Sequence, residues 1–171
     1  MVKIEKVLFL CSGNTCRSVF AEYYAKWLKR TSYKDKLQNV DFDSAGTRHY
    51  YETPHEGTVK YLNSKGISVD GFVAKDITEE LINGQDLILG FEARYHTKKL
   101  KRRFKHIENL DKKVYLLLEY AGETENLEIE DPFHFEENEY NQILKRIEDG
   151  IIKSIEKIIK INKSEEDLIN E

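Results

Sequence analysis

Sulfur and proline are scarce in this chain: two cysteines, one methionine and two prolines among 171 residues. Cys11 and Cys16, five positions apart, are too few and too close for the disulfide framework of a small secreted domain. No Pro- or Gly-rich linker, internal repeat or low-complexity tract interrupts the chain. No apolar run approaches the roughly 20 residues of a membrane span, and residues 1–10 lack a long apolar stretch followed by a small-residue cleavage site. A cytoplasmic location is therefore expected. Positive charge is not in excess either. A net charge of −4 and a pI near 5.8 give no global attraction for nucleic acid or membrane, so neither is expected as a partner and anion recognition must be local. The five histidines show no metal-ligand spacing, and no metal or other cofactor is expected.

What the chain does contain suits one ordinary domain with a real core. Charged residues, at 34%, exceed the usual quarter and are largely Lys and Glu; with the many isoleucines, this is a bias of proteins that work hot. A domain over 1–162 with a charged tail over 163–171 that frays is expected, and a monomer.

Val7-Leu8-Phe9-Leu10 has no polar alternation, as in a strand buried on both faces of a parallel sheet. From Ser18 to about Arg30, Val19, Phe20, Tyr23, Tyr24, Trp27 and Leu28 recur at helical spacing, with Ser18 as the expected cap. Further strands are predicted over 40–44, 86–89 and 114–118. Helices are predicted over 54–65, opened by Pro54 and closed by Gly66, then over 78–83, 93–104 and from about Glu136 onward. The last carries the stripe Ile143, Ile147, Ile151, Ile155 and Ile159, joined by Leu144, Ile152 and Ile158, which reads as core. The implied fold is a three-layer α/β/α domain: four parallel strands, helices on both faces, and a phosphate-binding loop after the first strand.

That loop is Cys11-Ser12-Gly13-Asn14-Thr15-Cys16-Arg17-Ser18. In such sheets ligands bind outside the carboxyl ends of the strands, and a helix amino terminus adds positive potential there. Successive N–H groups turned inward make a nest for phosphate. Gly13 allows close backbone approach, and Asn14 tolerates a left-handed turn. The same field favours the thiolate of Cys11, a nucleophile. Arg17 offers a planar fork to two phosphoryl oxygens, and the Ser18 hydroxyl can hydrogen-bond the thiolate. No Gly-Lys-Ser/Thr or Gly-x-Gly-x-x-Gly string supports a nucleotide site. A leaving group needs a proton, and Asp131-Pro132-Phe133, after the fourth strand, holds the candidate acid. Phe133 and Phe135 are expected along the cleft wall. His55 and His134 read as structural or solvated, and the basic run over 98–105 as a solvated helix face with Leu100 and Phe104 inward.

These motifs resemble the low-molecular-weight protein-tyrosine phosphatase family, whose loop reads Cys-x-Gly-Asn-x-Cys-Arg-Ser and whose acid lies in a late Asp-Pro. Asp43-Ser44-Ala45-Gly46-Thr47, followed by Tyr50 and Tyr51, extends the likeness over most of the chain. The resemblance implies Cys11 as nucleophile, Arg17 as phosphate clamp, Ser18 as thiolate partner and Asp131 as acid and then base. It implies a cysteinyl-phosphate intermediate and no metal. Ser12, Gly13, Asn14, Thr15, Cys16, Tyr50, Tyr51 and Phe133 are the implied substrate contacts. Phosphorylated proteins are the implied substrates, with inorganic phosphate or other oxyanions as product or inhibitor. Cys16 is implied as a protective thiol that pairs reversibly with Cys11, beside its bland reading as a small buried residue. Three departures stand out: Val19 replaces a common proline, Phe133-His134 replaces paired tyrosines, and no histidine near Phe72 supports Asn14. Thr15 resembles the arginine-phosphatase branch, so phosphoarginine stands as the alternative to phosphotyrosine. Arsenate reductase would need further cysteines after Cys16, and a non-catalytic phosphoprotein-binding module would not need the intact Cys11, Arg17 and Asp131.

Overall fold

In the computed structural model, which describes residues 2–169, the apolar runs form the four strands β1 (Lys6–Cys11), β2 (Asp41–Gly46), β3 (Leu87–Gly90) and β4 (Val114–Leu116). They make one parallel sheet in the order β2-β1-β3-β4, with Phe9 beside Ser44 on one side and Leu89 on the other. Side chains alternate across a strand, which assigns each to a layer. Val7, Phe9 and Cys11 face the core shared with helices α1 (Arg17–Arg30), α2 (Glu56–Ser64) and α6 (Glu137–Ile169). Leu8 and Leu10 face the smaller core under α3 (Glu79–Asn83) and α4 (Lys98–Arg103). The isoleucine stripe of α6 packs as expected: Ile143, Leu144, Ile147, Ile151, Ile155 and Ile158 are buried, and Ile152 and Ile159 lie against the same cluster. Each such side chain contributes about 1.5–3 kcal/mol by leaving water.

Several local expectations need correction. Ser18 does not cap α1. The helix begins at Arg17, Cys16 is the residue before it, and the Ser18 hydroxyl is held elsewhere. Pro54 does not open α2; His55 is the cap, its Nδ1 accepting the Gly57 N–H at 3.1 Å. The helix over 93–104 is two pieces, a π turn (Ala93–Thr97) and then α4. Gly90 allows it, since a Cβ there would come within 2.9 Å of Thr97 and 3.0 Å of His96. The strand over 114–118 stops at Leu116, because Glu119 turns back to accept the Leu116 N–H at 3.2 Å and starts α5 (Leu117–Tyr120). Of the tail over 163–171, the residues through Ile169 continue α6, and the final two lie outside the described residues.

Strand order reverses at β1, whose neighbours are β2 and β3. The crevice between the carboxyl ends of β1 and β3 is where an open α/β sheet binds ligands.

Candidate active site

Cys11 ends β1 in that crevice, and residues 12–16 turn the chain into α1. The turn is braced through its carbonyls. Cys11 O accepts from Thr47 N–H at 2.9 Å, Ser12 O from Arg48 N–H at 3.0 Å, and Thr15 O from His55 N–H at 2.9 Å. Among the described residues, no N–H group from Ser12 to Cys16 donates to a protein acceptor. Unspent donors at the head of a long helix are the material of an anion nest. Asn14 takes the expected left-handed turn at φ 54°. Gly13 is less crowded than expected, a Cβ there meeting only Thr15 Oγ1 at 3.4 Å. The close backbone approach falls instead at Gly46, where a Cβ would lie 2.8 Å from Ser12 O and 3.0 Å from Asn14 N.

Behind the loop, buried polar groups form a chain that ends on the thiol. Ser44 Oγ donates to Glu22 Oε2 at 2.5 Å, and Asn14 Nδ2 donates to Ser44 Oγ and Ser18 Oγ, both at 2.9 Å. With Asn14 donating to it, Ser18 has its own proton free for Cys11 Sγ, 2.9 Å away. Asn14 Oδ1 accepts the Lys75 N–H at 3.0 Å. Asn14 thus has full support without a histidine.

Arg17 is 2% exposed and held at one nitrogen: Nη1 donates to Ile129 O at 2.7 Å and pairs with Glu92 at 3.0 Å. Its Nε is buried with no protein partner. The Nε–Nη2 edge of the fork is therefore left for an outside acceptor, and Asp131 approaches Nη2 only to 3.9 Å. Asp131 is half-exposed, its Oδ1 accepting the Phe133 N–H at 3.2 Å.

A cleft of about 170 Å³ joins these groups, lined by Cys11, Ser12, Gly13, Thr15, Cys16, Arg17, Tyr50, Tyr51, Asp131 and Phe133. Asn14 and Ser18 lie behind it. Tyr51 stacks on Phe133 at 5.9 Å, and Phe133 rests against His55 at 4.9 Å. Phe135 does not join this wall; it lines a neighbouring hollow with His55 and Tyr140, because its backbone has already turned toward α6. Burial pushes the Cys16 thiol up to about 12, so at neutral pH it remains a thiol beside Tyr140. A larger cavity, about 920 Å³, opens at the opposite edge beside Val2, Leu87 and Tyr115, and its lining includes no cysteine, serine or histidine.

Sequence reasoning missed three side chains here. Glu22 is a lone acid on the buried face of α1, one turn after Ser18. Glu92 stands just past the carboxyl end of β3, a position the switch-point rule marks. His96 had no signal, because the π turn shifts its direction. The His96 Nδ1 accepts from Phe91 N–H and Glu92 N–H, so Nε2 carries the proton and donates to Ser12 Oγ at 3.1 Å. Burial, with Arg17 and Lys99 nearby, holds His96 well below the usual histidine range and neutral.

The family model for low molecular weight phosphotyrosine protein phosphatases matches residues 6–164. The chain belongs to this family. The protein-tyrosine-phosphatase YfkJ of Bacillus subtilis is 30% identical over 155 residues, 88% of this chain and 96% of its own. Its crystal structure superposes with a TM-score of 0.81 at 27% identity, covering 93% of this chain and 97% of that one. PtpA of Staphylococcus aureus, also named a protein-tyrosine-phosphatase, is 31% identical over 157 residues, 90% of each chain. DARP, a Drosophila arginine phosphatase, superposes with a TM-score of 0.77 at 26% identity, covering 88% and 96%. The expected fold and family are thereby borne out, and this low-molecular-weight phosphatase is an enzyme of the cysteine-dependent class. No described helix is long and apolar enough to cross a membrane, and no described cluster of His, Cys, Asp and Glu is arranged to hold a metal.

Proposed function

We propose that this phosphatase hydrolyses phosphotyrosine in proteins through a cysteinyl-phosphate. The observation that carries the reading is the buried, unpartnered Nε of Arg17 in a loop of unspent N–H donors ending on Cys11. That edge and those amides take the phosphoryl oxygens, and their charge is matched best where negative charge grows, in the transition state. Cys11 Sγ attacks phosphorus. An S–P bond forms, the ester P–O bond breaks, and Asp131 gives its proton to the departing phenolate oxygen. Water then adds to phosphorus while the Asp131 carboxylate takes its proton. The S–P bond breaks, inorganic phosphate leaves, and the Ser18 hydroxyl stabilises the thiolate that returns. Glu92 holds Arg17 in place and keeps its Nη1 occupied.

Phosphotyrosine is favoured by the aromatic wall, where Tyr51 and Phe133 lie over the cleft and Tyr50 borders it. Thr15 in the same cleft, with DARP among the similar structures, favours phosphoarginine as the second reading. The setting proposed is a cytoplasmic monomer. Turnover of p-nitrophenyl phosphate, with a phosphocysteine trapped in acid quench and absent from Cys11→Ser, tests the chemistry; wild-type activity in that variant ends it. Comparing phosphotyrosyl with phosphoarginyl peptides, in wild type and Thr15→Ile, decides the leaving group. A preference that survives the substitution excludes Thr15 as the selector.

A further inference from the structure

The basic run is tied by hydrogen bonds to the segments that brace the cleft. α4 is six residues long, about 9 Å, and both its ends are tied to segments that brace Cys11. Just before it, His96 reaches Ser12 Oγ; at its far end, Arg103 Nη1 donates to Thr47 O at 3.1 Å, and Thr47 N–H in turn donates to Cys11 O. Leu100 and Phe104 point into the core, and cations on either side of them stand at the surface. Lys98, Arg102 and Lys105 are exposed and Lys99 is half-buried, joined by exposed Arg94 in the π turn and Arg48 after β2. Among the described residues none of these six makes an ion pair, whereas Lys101, in the same run, pairs with Asp111. On a chain of net charge −4 this is a local reversal of sign.

We propose that this face docks an acidic segment of the protein substrate beside its phosphorylated residue, an inference that rests on the protein-phosphatase reading above. An extended peptide advances about 3.3 Å per residue, so α4 spans about three acidic residues. A segment that short meets the patch alone. A long polyanion such as nucleic acid would extend onto the acidic remainder of the surface, which includes Asp111 and Glu79 at the patch edge.

The test is kcat/KM on phosphopeptides flanked by three Glu or three Lys, carrying whichever phosphoresidue is turned over faster, with p-nitrophenyl phosphate as the substrate lacking flanks. Wild type is expected to prefer the Glu flank about tenfold at about 0.02 M salt and less than about threefold at about 0.3 M, as screening shortens the interaction. The triple variant Lys98→Gln, Arg102→Gln, Lys105→Gln should lose that preference while its p-nitrophenyl phosphate turnover stays within about twofold, and Lys98→Gln alone should show a smaller loss. Indifference of the wild type to flank, or an undiminished preference in both variants, overturns the docking surface and leaves the phosphatase reading standing. No turnover of any phosphate substrate overturns both. Binding of a labelled single-stranded oligonucleotide at about 0.15 M salt that the triple variant abolishes reassigns the patch to nucleic acid and overturns the proposal.

Discussion

The loop at Cys11 and the loop at Asp131 face each other across one cleft and are built in opposite ways. Cys11, Asn14, Arg17 and Ser18 are buried, and their polar groups are held from β2, the segment between β2 and α3, and Glu92 just past β3. Asp131 is 52% exposed and rests on a local turn to Phe133 and a distant approach to Arg17. The difference matches what the proposed mechanism asks of each loop. A nest for growing negative charge is effective when its donors do not reorganise during the reaction. A group that gives a proton and takes one back needs access to leaving group and water. The first requirement couples the site to folding stability, and the second decouples it.

Substitutions break or sharpen this contrast. The largest effect is expected from Cys11→Ser, which lowers kcat by at least about four orders of magnitude while vanadate still binds, measured by titration against the inactive variant. Asp131→Asn should slow turnover by about two to four orders of magnitude and leave the melting temperature within about 1 °C, the signature of an acid on an exposed loop. Asn14→Ala should do both kinds of damage. It leaves the Lys75 N–H without its acceptor and breaks the link between Ser44 and Ser18, at a cost of about 1–3 kcal/mol read from urea unfolding, with kcat lowered about 10- to 100-fold. If Asn14→Ala unfolds like wild type, the buried chain is not a structural brace. Tyr51→Ala should raise KM for aryl phosphates several-fold with kcat within about threefold, because the ring lines the cleft stacked on Phe133, away from Cys11.

The smallest effect concerns the rim loop that carries Tyr50 and Tyr51. His49 there is tied to Asp76 at 2.8 Å and to Glu52 at 3.2 Å, and these hydrogen bonds, that of Asp76 foremost, raise its titration above the ordinary histidine range. A raised folded-state value means the stabilisation is fully present below about pH 6.5 and fades as pH rises through the folded-state value. The melting-temperature difference between wild type and His49→Gln should therefore be largest near pH 6 and shrink toward pH 9. An unchanging difference removes the charge of His49 from the account.

Much of the molecule was legible in its residues because the signals are local. An apolar run without alternation marks a strand buried on both faces, and the run Val7-Leu8-Phe9-Leu10 is one. The loop string after it places thiol, nest and guanidinium within eight positions, and its likeness to a known family covers most of the chain. Errors gathered where one atom had two possible partners. The sequence predicts Ser18 as a cap because capping is what a serine at a helix start usually does; its hydroxyl instead joins Asn14 to Cys11. The loop pattern points to Gly13 as the residue that must be glycine, but the crowding comes at Gly46, from a strand that sequence distance hides.

By itself, then, the sequence determined the layered parallel sheet, the family, and which residue types meet at the end of β1, since each follows from pattern or motif over a few neighbouring positions. Only the tertiary structure decided what holds that site: Glu22 and Ser44 behind Asn14, Glu92 on Arg17, His96 on Ser12, and Arg103 of α4 on Thr47. These partners come from other strands and helices, some more than eighty positions apart. Hydrogen bonds reach about 3 Å, so their pairing is set by packing and the π turn, which no local pattern encodes.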